Sequence, residues 1–114
     1  MALMSLPHLI DRAAAVAAVL AELDVRRNDP VLVMLPDGPG FAESFTGALH
    51  HYALPLPISP LLSAPDLAAT AEQAGARLVL ASPHQLPTLA ELNTQPPILV
   101  HGPHGPWIAA LRLQ

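Results

Sequence analysis

Apolar residues recur at helical spacing at Leu9, Ala13, Val16, Ala17, Leu20 and Leu23, with no Gly or Pro among them. The pattern predicts a helix over residues 8–23, ended by the polar run DVRRNDP. VLVML (31–35) is short, apolar and β-branched, as expected of a strand buried on both faces. FAESFTGALHH (41–51) predicts a helix with Phe41, Phe45, Ala48 and Leu49 on its apolar side. LPLPIS (54–59) is apolar but holds two prolines, two residues apart, whose nitrogens point to the same side. That suits an edge strand or an irregular extended segment. Ser63, with Pro65 and Asp66 behind it, starts the next helix by a Ser-x-x-Asp cap. Leu67, Ala71 and Ala74 form the apolar side of that helix, and Gly75 stops it. RLVLAS (77–82) predicts a buried strand, LPTLAELN (86–93) a short helix and PILVHG (97–102) another strand. PWIAALRLQ reads as a helix or a strand.

Strands therefore start near residues 31, 54, 77 and 97 with helices between them. This is the signature of repeated βα units forming a small, mainly parallel α/β sheet flanked by helices. The spacing has the look of a repeat, yet no repeat signature recurs from unit to unit, and a solenoid is excluded. The fourteen prolines fall mostly between elements and act as punctuation.

Composition narrows the function. The chain has 114 residues, one small domain's worth. Hydrophobic residues make up 52% and charged residues only 12%, against about 25% charged in a typical soluble domain. Mean hydropathy is +0.41. So an apolar face is expected to stay exposed or to pack on something else. The net charge of −4 and the lack of a basic cluster argue against nucleic-acid binding. There is no cysteine, which excludes disulfides and thiolate chemistry and suits a cytoplasmic location. There is no lysine either, so no mechanism can use a side-chain ammonium. AAAVAAVLA (13–21) follows Asp11 and Arg12 and precedes Glu22 and Asp24, unlike a signal peptide. It is also far shorter than the roughly 20 residues needed to span a bilayer.

The strand–loop–helix VLVMLPDGPGFAESF (31–45) has the order of a phosphate-binding element. Its chemistry does not follow. A Walker-type loop needs a lysine. A dinucleotide loop needs a third glycine, and Glu43 stands in that place. Pro39 removes one amide an anion would use, leaving Gly40 and Phe41 as donors at the helix start. A tight turn feeding a helix back across the sheet is the simpler reading.

Residues 8–82 resemble the N-terminal part of the adenylate-forming, AMP-binding enzymes, the acyl-CoA synthetases and their relatives. The resemblance rests on an ordered set of turns: Leu35-Pro36-Asp37, Phe41, Phe45, Gly47-Ala48-Leu49, Pro55, Pro57, Ser59-Pro60, Leu67 and Gly75-Ala76-Arg77, with Asp29 before Val31. It implies that 1–114 is one partial domain of a larger N-terminal domain, with 83–114 a divergent tail. It implies an intact protein that uses ATP, Mg and CoA to activate carboxylic acids, such as those of fatty-acid metabolism. No nucleotide-binding or catalytic residue of the family maps onto this chain, so no catalytic, cofactor-binding or metal residue and no cofactor of its own is expected. One departure stands out. His51-Tyr52-Ala53 replaces an Ala-Gly-Ala that would suit a left-handed helix stop, and tyrosine there costs about 1 kcal/mol unless the turn is rebuilt.

Other clusters are weaker. His50-His51 and His101-x-x-His104 are the only close groups among six histidines. Adjacent histidines on a helix point about 100° apart and cannot readily share an ion. Ser59 and Ser82 precede proline, Ser63 serves as a cap, and no G-x-S-x-G elbow occurs. The nine acids are scattered. Trp107, with Ile108 and Leu111, suits packing on the chain's own sheet better than anchoring a partner. Two functions result. The first is a truncated or split segment of an AMP-dependent ligase, inactive alone. The alternative is a stand-alone interaction module whose apolar face takes a second copy or a complementary ligase subunit.

Overall fold

The computed structural model describes residues 6–91, 98–100 and 109–111. In chain order they form α1 (Leu6–Glu22), β1 (Pro30–Met34), α2 (Pro39–His50), β2 (Leu54–Pro57), α3 (Ala64–Ala74) and β3 (Leu78–Ala81). A 3-10 turn (Pro83–Gln85), α4 (Leu86–Leu89), β4 (Ile98–Val100) and β5 (Ala109–Leu111) follow. The strands make one sheet in the order β2-β1-β3-β4-β5. All its pairings are parallel except the last, so the expected α/β architecture is present. The apolar tail supplies the antiparallel strand β5. The short helix expected over 86–93 is present as α4, and a 3-10 turn precedes it, where Ser82 N–H donates to Gln85 Oε1. Its residues 92–93 lie outside the described residues.

β1 is the centre of the molecule. Val31, Leu32, Val33 and Met34 are fully buried. Strand alternation sends Val31, Val33 and Leu35 to one face, where they meet Val16 and Leu20 of α1 and Ala48 of α2. Leu32 and Met34 go to the other face, against Leu67 and Ala71 of α3 and Leu89 of α4. Each such side chain contributes roughly 1.5–3 kcal/mol by leaving water.

Among the described residues β2 is an edge strand, in keeping with its prolines. Leu54 N–H donates to Asp29 O at 2.9 Å and Ile58 N–H donates to Val33 O at 3.0 Å. Leu54, Leu56 and Ile58 therefore face β1, and Pro55 and Pro57 turn their nitrogens to the open side.

The three long helices end alike. Val25 N–H reaches back to Leu20 O, Ala53 to Ala48 O and Ala76 to Ala71 O, each over about 3 Å. The residue before each donor is left-handed: Asp24 (φ 62°), Tyr52 (φ 63°) and Gly75 (φ 65°). Tyr52 thus holds the strained conformation its position called for, and no rebuilt turn relieves it. The Arg27 guanidinium lies 5.2 Å above its ring, a contact worth about 0.5–1 kcal/mol at an exposed site.

α2 departs from expectation in its rotation. Leu49 is 51% exposed, and the buried residues are Glu43, Ser44, Gly47 and Ala48. Close approach to α1 explains this. A Cβ on Gly47 would lie 2.5 Å from Val16 Cβ and 2.9 Å from Ala13 O. Only glycine allows that spacing, so the helix turns its smallest residues inward and Leu49 outward. Phe41 and Phe45 stack at 5.7 Å between ring centroids and are half-buried.

Candidate functional site

From β1 the chain crosses to β2 on one side, and from β3 it continues to β4 on the other. The carboxyl ends of β1 and β3 therefore flank a topological switch point, the usual ligand position in open α/β sheets. A pocket of about 200 Å³ lies there, lined by Leu35–Phe41 and Ser82. Gly38 makes the turn with φ 146°, a conformation glycine adopts without strain. Pro39 then begins α2, and Ala42 N–H already donates to Gly38 O at 3.0 Å. Gly40 and Phe41 are the amides left at the helix start.

This donor set does not fit a nucleotide's phosphates. Pro39 offers no N–H, the exposed Asp37 carboxylate repels an anion, and no lysine exists to neutralise one. Ser82 is not poised as a nucleophile, since its hydroxyl and its N–H both bond Gln85 Oε1. Ser59 Oγ accepts from Leu61 N–H at 3.1 Å, and Ser63 Oγ accepts from Asp66 N–H at 3.3 Å. Each serine near a turn is thus engaged by its own loop.

The opposite end of the sheet carries the charge. Asp24 meets Arg26 Nε at 3.5 Å and Arg77 Nη2 at 3.4 Å, while Asp29 accepts from Arg26 N–H at 2.8 Å. These four residues line an open depression of about 350 Å³. Two acids and two arginines balance one another, so the cluster fastens the 24–29 loop to the start of β3. His51 Nε2 lies 2.6 Å from Val25 O, whereas His50 is exposed. The two neighbours diverge as expected of adjacent helical positions. No group of three metal-ligating side chains occurs among the described residues. His101, His104 and Trp107 lie outside them.

One pair was not foreseen. Glu43 is 3% exposed, and Arg12 Nε lies 3.3 Å from its Oε1, joining α2 to α1. The adjacent Ser44 Oγ is buried without a hydrogen-bond partner. The signal was the small-residue spacing Ser44-Gly47-Ala48 opposite Ala13 and Ala17, which marks a close helix pair.

The AMP-binding enzyme family model matches residues 4–107. The chain belongs to the AMP-binding enzyme family. The match runs past residue 82, where the resemblance in sequence ends. Solved structures agree. A benzoate CoA ligase from Burkholderia xenovorans LB400 superposes with a TM-score of 0.77 at 25% identity, covering 90% of this chain and 22% of the ligase. A Brucella canis acyl-CoA synthetase gives 0.80 at 24% identity, over 85% of this chain and 18% of that one. An anthranilate CoA ligase solved with anthranoyl-AMP gives 0.79 at 24% identity, over 87% and 20%. The chain thus spans about a fifth of the length of these AMP-binding relatives. No curated protein sequence matches it.

Proposed function

We propose that this chain is the N-terminal scaffold segment of an acyl- or aryl-CoA ligase-like protein and forms no acyl-adenylate by itself. The observation that carries the reading is the switch-point pocket, whose fold matches the ligases while its donor set suits a turn and not a phosphate. Adenylation needs groups that neutralise the triphosphate, and a lysine-free chain with Pro39 at the helix start supplies none. ATP, Mg and CoA would be handled by the remaining four-fifths of such a ligase, and the chain contributes the sheet on which that part rests. The lack of cysteine suits work in the reducing cytoplasm.

The test is pyrophosphate release from ATP and Mg²⁺ by the purified chain, with benzoate, anthranilate or a fatty acid as acceptor. No release above the protein-free control is expected. Acid-dependent release by this chain alone would overturn the proposal.

A second reading has its own observation. Leu6, Ile10, Leu49, Tyr52, Leu54 and Leu61 are each about half exposed or more, a large apolar total for so weakly charged a surface. On this reading the chain is an interaction module that takes a second copy or a ligase subunit. Light scattering over a dilution series tests the second-copy form of this reading, with a monomer at all concentrations counting against it. Among the described residues no helix is long and apolar enough to cross a membrane.

A further inference from the structure

The outer side of β2 is where the sheet ends among the described residues. Such an edge normally offers a row of free N–H and C=O groups to any extended chain that meets it. Proteins guard edges with charge, above all lysine. This chain has no lysine, and residues 52–65, YALPLPISPLLSAP, carry no charge at all. The surroundings add to the hazard, since Tyr52, Leu54 and Leu61 are 66%, 48% and 91% exposed. A short, apolar, uncharged extended segment is the composition that stacks into intermolecular sheets when proline is absent.

Here proline is present at the two positions that matter. The bonds from Leu54 and Ile58 to β1 fix the strand's rotation, so the residues facing outward are 55 and 57. Both are proline, and neither has an N–H. An incoming strand pairs with every second residue of an edge, so one proline alone would leave a donor to nucleate pairing.

We propose that Pro55 and Pro57 act together to close this edge to strand addition, whether by a second copy or by another extended peptide. A partner that meets this side of the molecule then binds side chains and not backbone. The inference stands whether or not the chain serves a ligase.

Pro55→Val and Pro57→Val, single and combined, restore the missing donors. Pro60→Val, just beyond the strand, controls for loss of a proline as such. Sedimentation velocity and thioflavin fluorescence read association, and amide exchange reads the new N–H groups. The double variant is expected to associate at about tenfold lower concentration than the wild type or Pro60→Val. Its new amides should exchange freely in the monomer and slowly in the assembly. Association equal to that of the wild type would overturn the proposal, as would new amides already protected in the monomer. The Pro55 ring is buried. If its replacement unfolds the chain, Pro57→Val alone decides, since that ring is exposed: a shift of about threefold supports the proposal and no shift refutes it.

Discussion

The two faces of the sheet are covered by different means. On one face α1 and α2 pack so closely that a glycine is required at the crossing, and α2 buries Glu43, Ser44, Gly47 and Ala48 with no large aliphatic among them. On the other face α3 stands over β1 on Leu67, the one large side chain it buries, flanked by Ala64 and Ala71. The first face gains from the nearness of two helices, the second from the volume of Leu67 and of Leu89 on α4. The two faces can thus fail in opposite ways, by crowding on one side and by emptying on the other.

Five substitutions probe that contrast, each read as a shift in chemical-denaturation midpoint. Emptying the second face should cost most: Leu67→Ala is expected to destabilise by about 3 kcal/mol. A loss below about 1 kcal/mol would mean that α3 collapses onto the sheet and that its volume is dispensable. Crowding the first face comes next. Gly47→Ala should cost about 2 kcal/mol despite alanine's better helix propensity. Adding Val16→Ala removes the contact with Val16 Cγ1 at 2.6 Å and leaves that with Cβ at 2.5 Å, so the pair should cost somewhat less than the sum of the singles. Additive losses would show that the crossing yields elsewhere. Ser63→Ala removes the cap from α3 and should cost about 1 kcal/mol, with no effect on the first face. The smallest effect runs the other way. Ser44→Ala removes a buried hydroxyl that has no partner and should stabilise by about 0.5 kcal/mol. A clear loss would show that Ser44 Oγ has a bound water as partner.

These differences also explain what could be read in advance. α3 was legible from end to end, because its signals are local: Ser63 and Asp66 start it, Gly75 stops it, and Leu67 and Ala71 mark one side. β2 was legible as an edge because proline chemistry is local too. The rotation of α2 was not, since Gly47 matters through Val16 and Ala13, which lie far earlier in the chain and on another helix. The aromatic and aliphatic residues of α2 drew the apolar side toward Leu49, while the small residues decided it. The Arg12–Glu43 contact was hidden for the same reason, as an acid on an amphipathic helix reads as solvated until a neighbour covers it. At the switch point the absences of lysine and of the Pro39 amide were readable directly. The neutral stitching of Asp24, Arg26, Asp29 and Arg77 was not, because it needs the 24–29 loop to meet the start of β3.

The position of β1 sets an order on synthesis. Its carbonyls at Asp29 and Val33 are taken by β2, and that at Pro30 by Arg77 at the start of β3. A growing polypeptide can therefore pair β2 with β1 once residue 58 has left the ribosome, while the α1–α2 side still lacks Leu78 and Leu80, and Leu32 and Met34 wait bare for α3 and β3. Pulse labelling during refolding should find the Val33 amide shielded before that of Leu32, and simultaneous shielding would show that both halves condense at once.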